Sequence, residues 1–205
     1  MQNGSADSLG PVSVMSKELS PQTMTGRVLV LCGPPGSGKG VVARKASERG
    51  MSILSLGDIV RSEMALKGLP ETPENVGKTA LSMREEHGEE IVVERLIPSL
   101  MSTLEVSDVL IDGMRQPEEM DRLREHIDDI TVVAMSASPQ SRLEWLEGRG
   151  RGEDGGGAEF AEREEREWGW GLEILMDQAH AIILNEGSLE ELEERSDMIL
   201  ETLGF

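Results

Sequence analysis

Apolar residues along this chain come in two kinds of run. Short blocks rich in Val, Ile and Leu predict buried strands at residues 27–32, 52–56, 108–112, 130–136 and 181–184. Between them, apolar positions recur at helical spacing, as with Val76, Ala80, Met83 and His87. The predicted helices cover residues 39–49, closed by Gly50, and 58–67, ended by Gly68 and Pro70. Another is opened by Thr72 as N-cap with Pro73 behind it, and ends at Gly88. Residues 89–104 follow as a helix with a break expected near Pro98, then 117–126 and 138–147. Residues 159–178 are helical with an interruption expected at Gly169 and Gly171, and Ser188 with Glu191 forms a capping box for the last helix. Strands alternating with helices predict an α/β fold, a doubly wound parallel sheet of five strands with helices on both faces. Ligands of such sheets sit at the carboxyl ends of the strands. Residues 1–25, rich in Ser, Gly, Pro and Gln, read as a flexible leader; one domain is expected over 26–205.

The first strand runs directly into Gly33-Pro34-Pro35-Gly36-Ser37-Gly38-Lys39-Gly40, which fits G-x-x-x-x-G-K. Glycines let the backbone wrap a phosphate chain, with successive N–H groups aimed at its oxygens. The helix beginning near Lys39 offers its positive dipole end to the same anion, and the lysine adds a mobile charge for the outer phosphates. A glycine-rich turn without a ligand needs no such agreement of strand, spacing and helix. The segment therefore predicts binding of a nucleoside triphosphate or something shaped like one.

Charge narrows the partners. With 39 acidic against 20 basic residues among 205, the formal net charge is −19. That argues against nucleic acid or an anionic membrane as main partner. Lysine is scarce (Lys17, Lys39, Lys45, Lys67, Lys78), so arginine carries most positive charge, and its fork suits phosphate oxygens. The single cysteine, Cys32, excludes an internal disulfide and a cysteine zinc site. No apolar stretch is long enough to span a membrane and no signal-peptide pattern is present, so a cytoplasmic protein is expected.

Candidate chemistry gathers where strands end. Asp58 and Arg61 share a helix face after the second strand; Arg61 either clamps an acceptor phosphate or makes a surface ion pair with Asp58. Asp112 terminates a hydrophobic strand; it either faces the expected crevice, where it would hold Mg2+ through water or act as a base, or caps the turn at Gly113, and Arg115 follows for the acceptor. Glycines and arginines at 148–152 predict a lid over about 148–157, with Arg149 and Arg151 as charges for the transferred group and Arg142 on the same side. Arg163 and Arg166 share a face of the next helix; they are either substrate ligands or partners of Glu159 and Glu162 in solvated pairs. Trp145, Trp168 and Trp170 read as packing anchors, and His87, His126 and His180 as structural, without metal-ligand spacing.

Taken together, residues 33–40, Leu56-Gly57-Asp58-Ile59-Val60-Arg61, Ile111-Asp112-Gly113-Met114-Arg115 and Asn185-Glu186-Gly187 make the chain resemble adenylate-kinase-type nucleoside monophosphate kinases, from about Val28 onward. It is similar in particular to an archaeal adenylate-kinase-like family that shares the lid, the Glu/Arg helix and Asn-Glu-Gly. Dephospho-coenzyme A kinases have a similar layout. The resemblance implies a P-loop kinase using ATP and Mg2+ on a small phosphorylated acceptor, most simply a nucleoside monophosphate. It implies ATP contacts from Gly33, Pro34, Pro35, Gly36, Ser37, Gly38, Lys39, Gly40, Val41, Asn185 and Gly187. Acceptor contacts are implied for Gly57, Asp58, Arg61, Arg115, Arg163 and Arg166, with acceptor-binding helices over about 57–104. Lys39, Asp112, Arg149 and Arg151 take the catalytic roles. The chain departs from the pattern at Gly40 and Val41, where a hydroxyl residue would reach Mg2+, and at Met114, where Phe-Pro is usual. No protein metal ligand set is expected. The other readings are a dephospho-coenzyme A kinase-like enzyme and a nucleotide-binding switch or assembly factor with slow ATPase activity.

Overall fold

The computed structural model describes residues 25–149 and 157–205. The expected leader, apart from residue 25, and the part of the expected lid at 150–156, including Arg151, lie outside the described residues.

Five strands, β1 (Val28–Cys32), β2 (Ser52–Ser55), β3 (Val109–Asp112), β4 (Ile130–Ser136) and β5 (Ala181–Leu184), form one sheet in the order β2-β3-β1-β4-β5. Every pairing is parallel. All five residues of β1 are buried, and their alternation shows why. Val28, Val30 and Cys32 enter one hydrophobic cluster, Leu29 and Leu31 the other. A central parallel strand covered on both faces needs apolar residues at every position.

Helices α1 (Lys39–Glu48) and α9 (Leu189–Thr202) cover the Leu29 face through Val42, Ala46, Leu192 and Leu200. The opposite face carries α2 (Leu56–Leu66), α3 (Pro73–His87), α4 (Ile91–Leu104), α5 (Pro117–Arg124) and, after α6 (Pro139–Arg149) and α7 (Gly157–Gly169), α8 (Leu172–Asp177). The register aligns Leu31 and Ser55 with Asp112, so β1, β2 and β3 end level with one another. That common end positions the candidate site.

Three expectations need correction. Helix α4 runs unbroken through Pro98, because that residue lies on the exposed face, where water can satisfy the carbonyl its missing N–H leaves unpaired. His87 is exposed and not part of the apolar stripe of α3; Arg84 is buried there instead. Helix α2 starts at Leu56, directly off β2, so Gly57 and Asp58 lie in its first turn. The interruption after α7 is present, with Gly171 at φ 93° forming the N-cap of α8.

Candidate active site

The loop after β1 is shaped by two glycines that no other residue replaces at equal energy. Gly33 has φ 139°, and a Cβ there would lie 2.5 Å from the Met135 carbonyl oxygen. Gly38, at φ 98°, is the N-cap of α1, and its Cβ would lie 2.8 Å from Asn185 Nδ2. No side chain caps α1, which leaves its first amides to the cavity. Lys39 Nζ donates to the Gly33 and Pro34 carbonyls at 2.6 and 2.9 Å. Burial pushes the Lys39 ammonium down to about 8, against the opposing pull of Asp112 and Glu167.

The loop is braced from behind. Asn185 Nδ2 donates to the Ser37 carbonyl at 3.2 Å. Arg142, expected on the lid side, is instead 1% exposed and donates to the Pro35 and Ala137 carbonyls at 3.0 Å each, while pairing with Glu164. Its guanidinium lies 5.3 Å from the Phe160 ring of α7 and does not line the cavity, so it holds the loop. Gly38→Ala is expected to cost about 1–3 kcal/mol through backbone strain and displacement of Asn185. Urea unfolding measures it, and nucleotide affinity should fall with it.

One cavity of about 970 Å3 joins this loop to the ends of β2 and β3. The loop side contributes Pro35, Gly36, Ser37, Gly38, Lys39, Gly40 and Val41, together with Asn185 and Gly187. Gly33 and Pro34 serve through their carbonyls on Lys39. The far side contributes Gly57, Arg61, Asp112, Arg115, Arg163 and Arg166. Exposed Asp58 pairs with Arg61, Nε to Oδ1 at 3.1 Å, and Glu71 lies 3.9 Å from the same guanidinium. Arg61 is thus both an ion-pair partner and a cavity residue.

Asp112 Oδ1 is buried without a hydrogen-bond partner, as is Ser37 Oγ. Arg163 Nε donates to Glu167 Oε1 at 2.9 Å, four residues downstream. Arg166 Nε is buried without a hydrogen-bond partner; its guanidinium lies 5.6 Å from the Trp170 ring and against Gly77 of α3. Glu162 lines the cavity too, and its charge acts on Arg166 as their spacing predicts. The backbone of Arg149 ends α6; Arg151 is outside the described residues.

Residues 32–159 match a family described as an AAA domain, AAA_17. A UPF0200 protein of Pyrococcus furiosus is 36% identical over 177 residues, spanning 84% of this chain and 95% of that one. A UPF0200 protein of Hyperthermus butylicus is 37% identical over 177 residues, spanning 86% of this chain and 94% of that one. The chain belongs to the UPF0200 family. Two solved structures share the fold of this UPF0200 protein. TT1252 from Thermus thermophilus aligns with TM-score 0.60 and 23% identity, over 88% of this chain and 99% of that one. A sugar kinase from Janibacter sp. HTCC2649 aligns with TM-score 0.54 and 18% identity, over 86% and 95%. The UPF0200 chain therefore has a P-loop kinase-like fold. Among its described residues, no helix is long and apolar enough to cross a membrane.

The UPF0200 cavity also holds residues that sequence reasoning missed. Arg84, Glu119, Glu167 and Trp170 all line it. Arg84 Nε donates to Gln116 Oε1 at 2.6 Å and Nη2 to Glu119 Oε1 at 2.8 Å, and its guanidinium lies 4.6 Å from the Trp170 ring. Glu119 also accepts from the Arg115 and Gln116 amides at 3.0 and 3.3 Å, closing the capping box of α5. A signal for Arg84 existed: a charged residue four after Ala80, on the apolar stripe of α3. Glu167 gave none, being one glutamate in an acidic run. Trp170 lines the cavity against Arg84 and Arg166, whereas Trp145 and Trp168 are exposed and are not packing anchors: Trp145 lines the cavity and Trp168 donates to Glu164 at 3.2 Å. His180 is structural, Nδ1 accepting from the Val132 amide at 3.0 Å.

Proposed function

We propose that this UPF0200 protein is an ATP-dependent phosphotransferase acting on a small phosphorylated acceptor, a nucleoside monophosphate. The observation that carries the reading is a single cavity with the glycine loop and Lys39 on one side and Arg61, Arg115, Arg163 and Arg166 on the other. Phosphoryl transfer asks the protein mainly to position two anions and to offset their charge. In this reading the loop amides and Lys39 hold the donor phosphates, and Asn185 and Gly187 border the nucleoside. Arg61 and Arg115 hold the acceptor phosphate, with Gly57, Arg163 and Arg166 beside it and Asp58 orienting Arg61. Arg149 and Arg151 belong to a lid, and residues 57–104 to the acceptor-binding part.

The residues fit both cofactors. Positive-φ glycines leave a cradle that a Cβ would fill, suited to a polyphosphate. The partnerless Asp112 Oδ1 suits Mg2+ held through water, in place of a hydroxyl at position 40. When bound, Mg2+ supplies charge neutralisation on the phosphate oxygens. A cytoplasmic location, where ATP is available, is part of the proposal.

The test is ADP release from Mg-ATP with AMP, CMP, UMP, GMP, their deoxy forms and dephospho-coenzyme A as acceptors. Turnover that depends on one acceptor and is lost in Lys39→Met supports the reading; turnover retained in that variant overturns it. Arg61→Ala is expected to raise the acceptor KM about 10- to 100-fold, the loss of charge-assisted hydrogen bonds, with the ATP KM unchanged. Gly40 favours a second reading, a nucleotide-dependent switch with slow hydrolysis, since no hydroxyl follows Lys39 although a Cβ there would meet nothing within 4 Å. Tight ATP binding without acceptor-dependent ADP release would select it.

A further inference from the structure

Glu167 is a carboxylate that lines the same cavity as Lys39, Arg61, Arg115, Arg163 and Arg166. It is 2% exposed and lies on α7. Arg115 Nε lies 3.0 Å from its Oε1, and Arg163 Nε donates to the same oxygen at 2.9 Å. One oxygen therefore serves two guanidinium groups, each engaged only through Nε in these contacts. Lys39 and Asp112 are close enough for their charges to be felt in the same cluster. Burial raises the carboxyl's pKa, but Arg115, Arg163 and Lys39 more than reverse it and hold Glu167 down at about 2.

Arg84 in the same cavity shows what a committed structural pair looks like. Its Nε, Nη1 and Nη2 donate to Gln116, the Ala80 carbonyl and Glu119. Glu119 is thereby used up on Arg84 and two backbone amides. Arg115 and Arg163 have a weaker claim on the protein: a shared oxygen, where a bidentate fork is available to each.

We propose that Glu167 is a built-in stand-in for substrate phosphate, keeping Arg115 and Arg163 together beside Lys39 and giving way to a phosphate oxyanion that takes both forks. The inference rests on the phosphotransferase reading for the identity of the oxyanion. Its consequence is opposite to that of an ordinary ligand or positioning residue. Removing Glu167 strengthens anion binding, because a competing negative charge leaves the site, while the protein without anion loses the counter-charge of two half-buried arginines.

Glu167→Gln keeps the shape and one acceptor oxygen but not the charge. Titration with inorganic pyrophosphate, followed by calorimetry, compares it with wild type and with Glu48→Gln, which removes the same charge from an exposed pair with Arg44. Glu167→Gln is expected to bind pyrophosphate on the order of tenfold more tightly than wild type. Its Tm without pyrophosphate should be lower, and pyrophosphate should raise it more. Glu48→Gln should match wild type in affinity. Unchanged or weaker binding by Glu167→Gln overturns the inference. A variant that folds only with pyrophosphate supports it, and one that folds in neither condition assigns Glu167 a purely structural role and overturns it. Failure of wild type to bind either pyrophosphate or ATP would instead overturn the phosphotransferase reading.

Discussion

Lys39→Met is expected to lower acceptor-dependent ADP release about a thousandfold, as when a preorganised charge is taken from a developing oxyanion, and at the same time to stabilise the protein at pH 7 in the absence of nucleotide. The two effects have one cause. Lys39 is held against two loop carbonyls in a place that disfavours its charge, which brings its pKa from 10.5 to about 8. Between those values the unfolded chain binds a proton that the folded chain does not, so stability rises with pH across that interval. Below pH 8 the folded protein bears the full penalty of the half-buried ammonium; above 10.5 it bears none. Methionine removes the penalty with little change in shape, for a gain of about 1–2 kcal/mol once the two lost hydrogen bonds are set against it. Thermal unfolding at pH 7 and above pH 10 checks the sign: the variant leads at the lower pH and loses its lead at the higher. Phosphate oxygens reverse the balance, because they restore an anion beside the ammonium. ATP affinity of the wild type should therefore weaken as pH climbs above 8, and Lys39→Met should show no such step. A variant less stable than wild type at pH 7 would contradict this account of the strain held in the loop.

What the chain disclosed in advance follows from the range over which each feature is determined. The glycine loop is a local object: strand, turn and helix are contiguous, and its backbone conformation is written in Gly33, Gly36 and Gly38, all at positive φ. Parallel topology then carries Asp112 and Gly57 to the same end of the sheet, so strand-end residues were legible once the strands were. Arg142, Glu119 and Glu167 were not, because each acts through a partner on a distant element. Arg142 holds Pro35, 107 positions earlier in the chain. Glu119 meets Arg84 across the α3–α5 contact, 35 positions away. Nothing in an acidic run singles out the one glutamate that turns inward. Pro98 misled for a related reason: the break it threatens depends on whether its missing N–H leaves a buried carbonyl, and its solvent-facing position is a tertiary fact. His87 and Arg84 exchanged roles because a guanidinium with three acceptors and an aromatic ring beside it is stable on a face that spacing alone assigns to apolar residues.

Arg84→Met is the substitution expected to damage the fold most. Arg84 is 5% exposed and Glu119 1% exposed, with 2.8 Å between them. Taking away the guanidinium deprives the Glu119 carboxylate and the Gln116 side-chain oxygen of their charged donor together, in the wall of the cavity. Breaking a buried pair from one side costs about 3–5 kcal/mol. For a chain of this size that corresponds to a fall in Tm of roughly 10 °C. The packing of methionine against Trp170 keeps apolar contact, so the loss reports charge and hydrogen bonding more than volume. Adding Glu119→Gln should recover part of it, since the amide oxygen still accepts from the Arg115 and Gln116 amides without carrying a buried charge. Urea unfolding of the two single variants and the double variant measures the coupling directly. If the double variant is as unstable as the sum of the singles, the pair is not the source of the cost, and the capping of α5 by Glu119 is. If it is more stable than Arg84→Met alone, the buried charge is what the wall of the cavity was built around. In that case the cavity wall beside α3 and α5 owes its shape to the Arg84–Glu119 salt bridge.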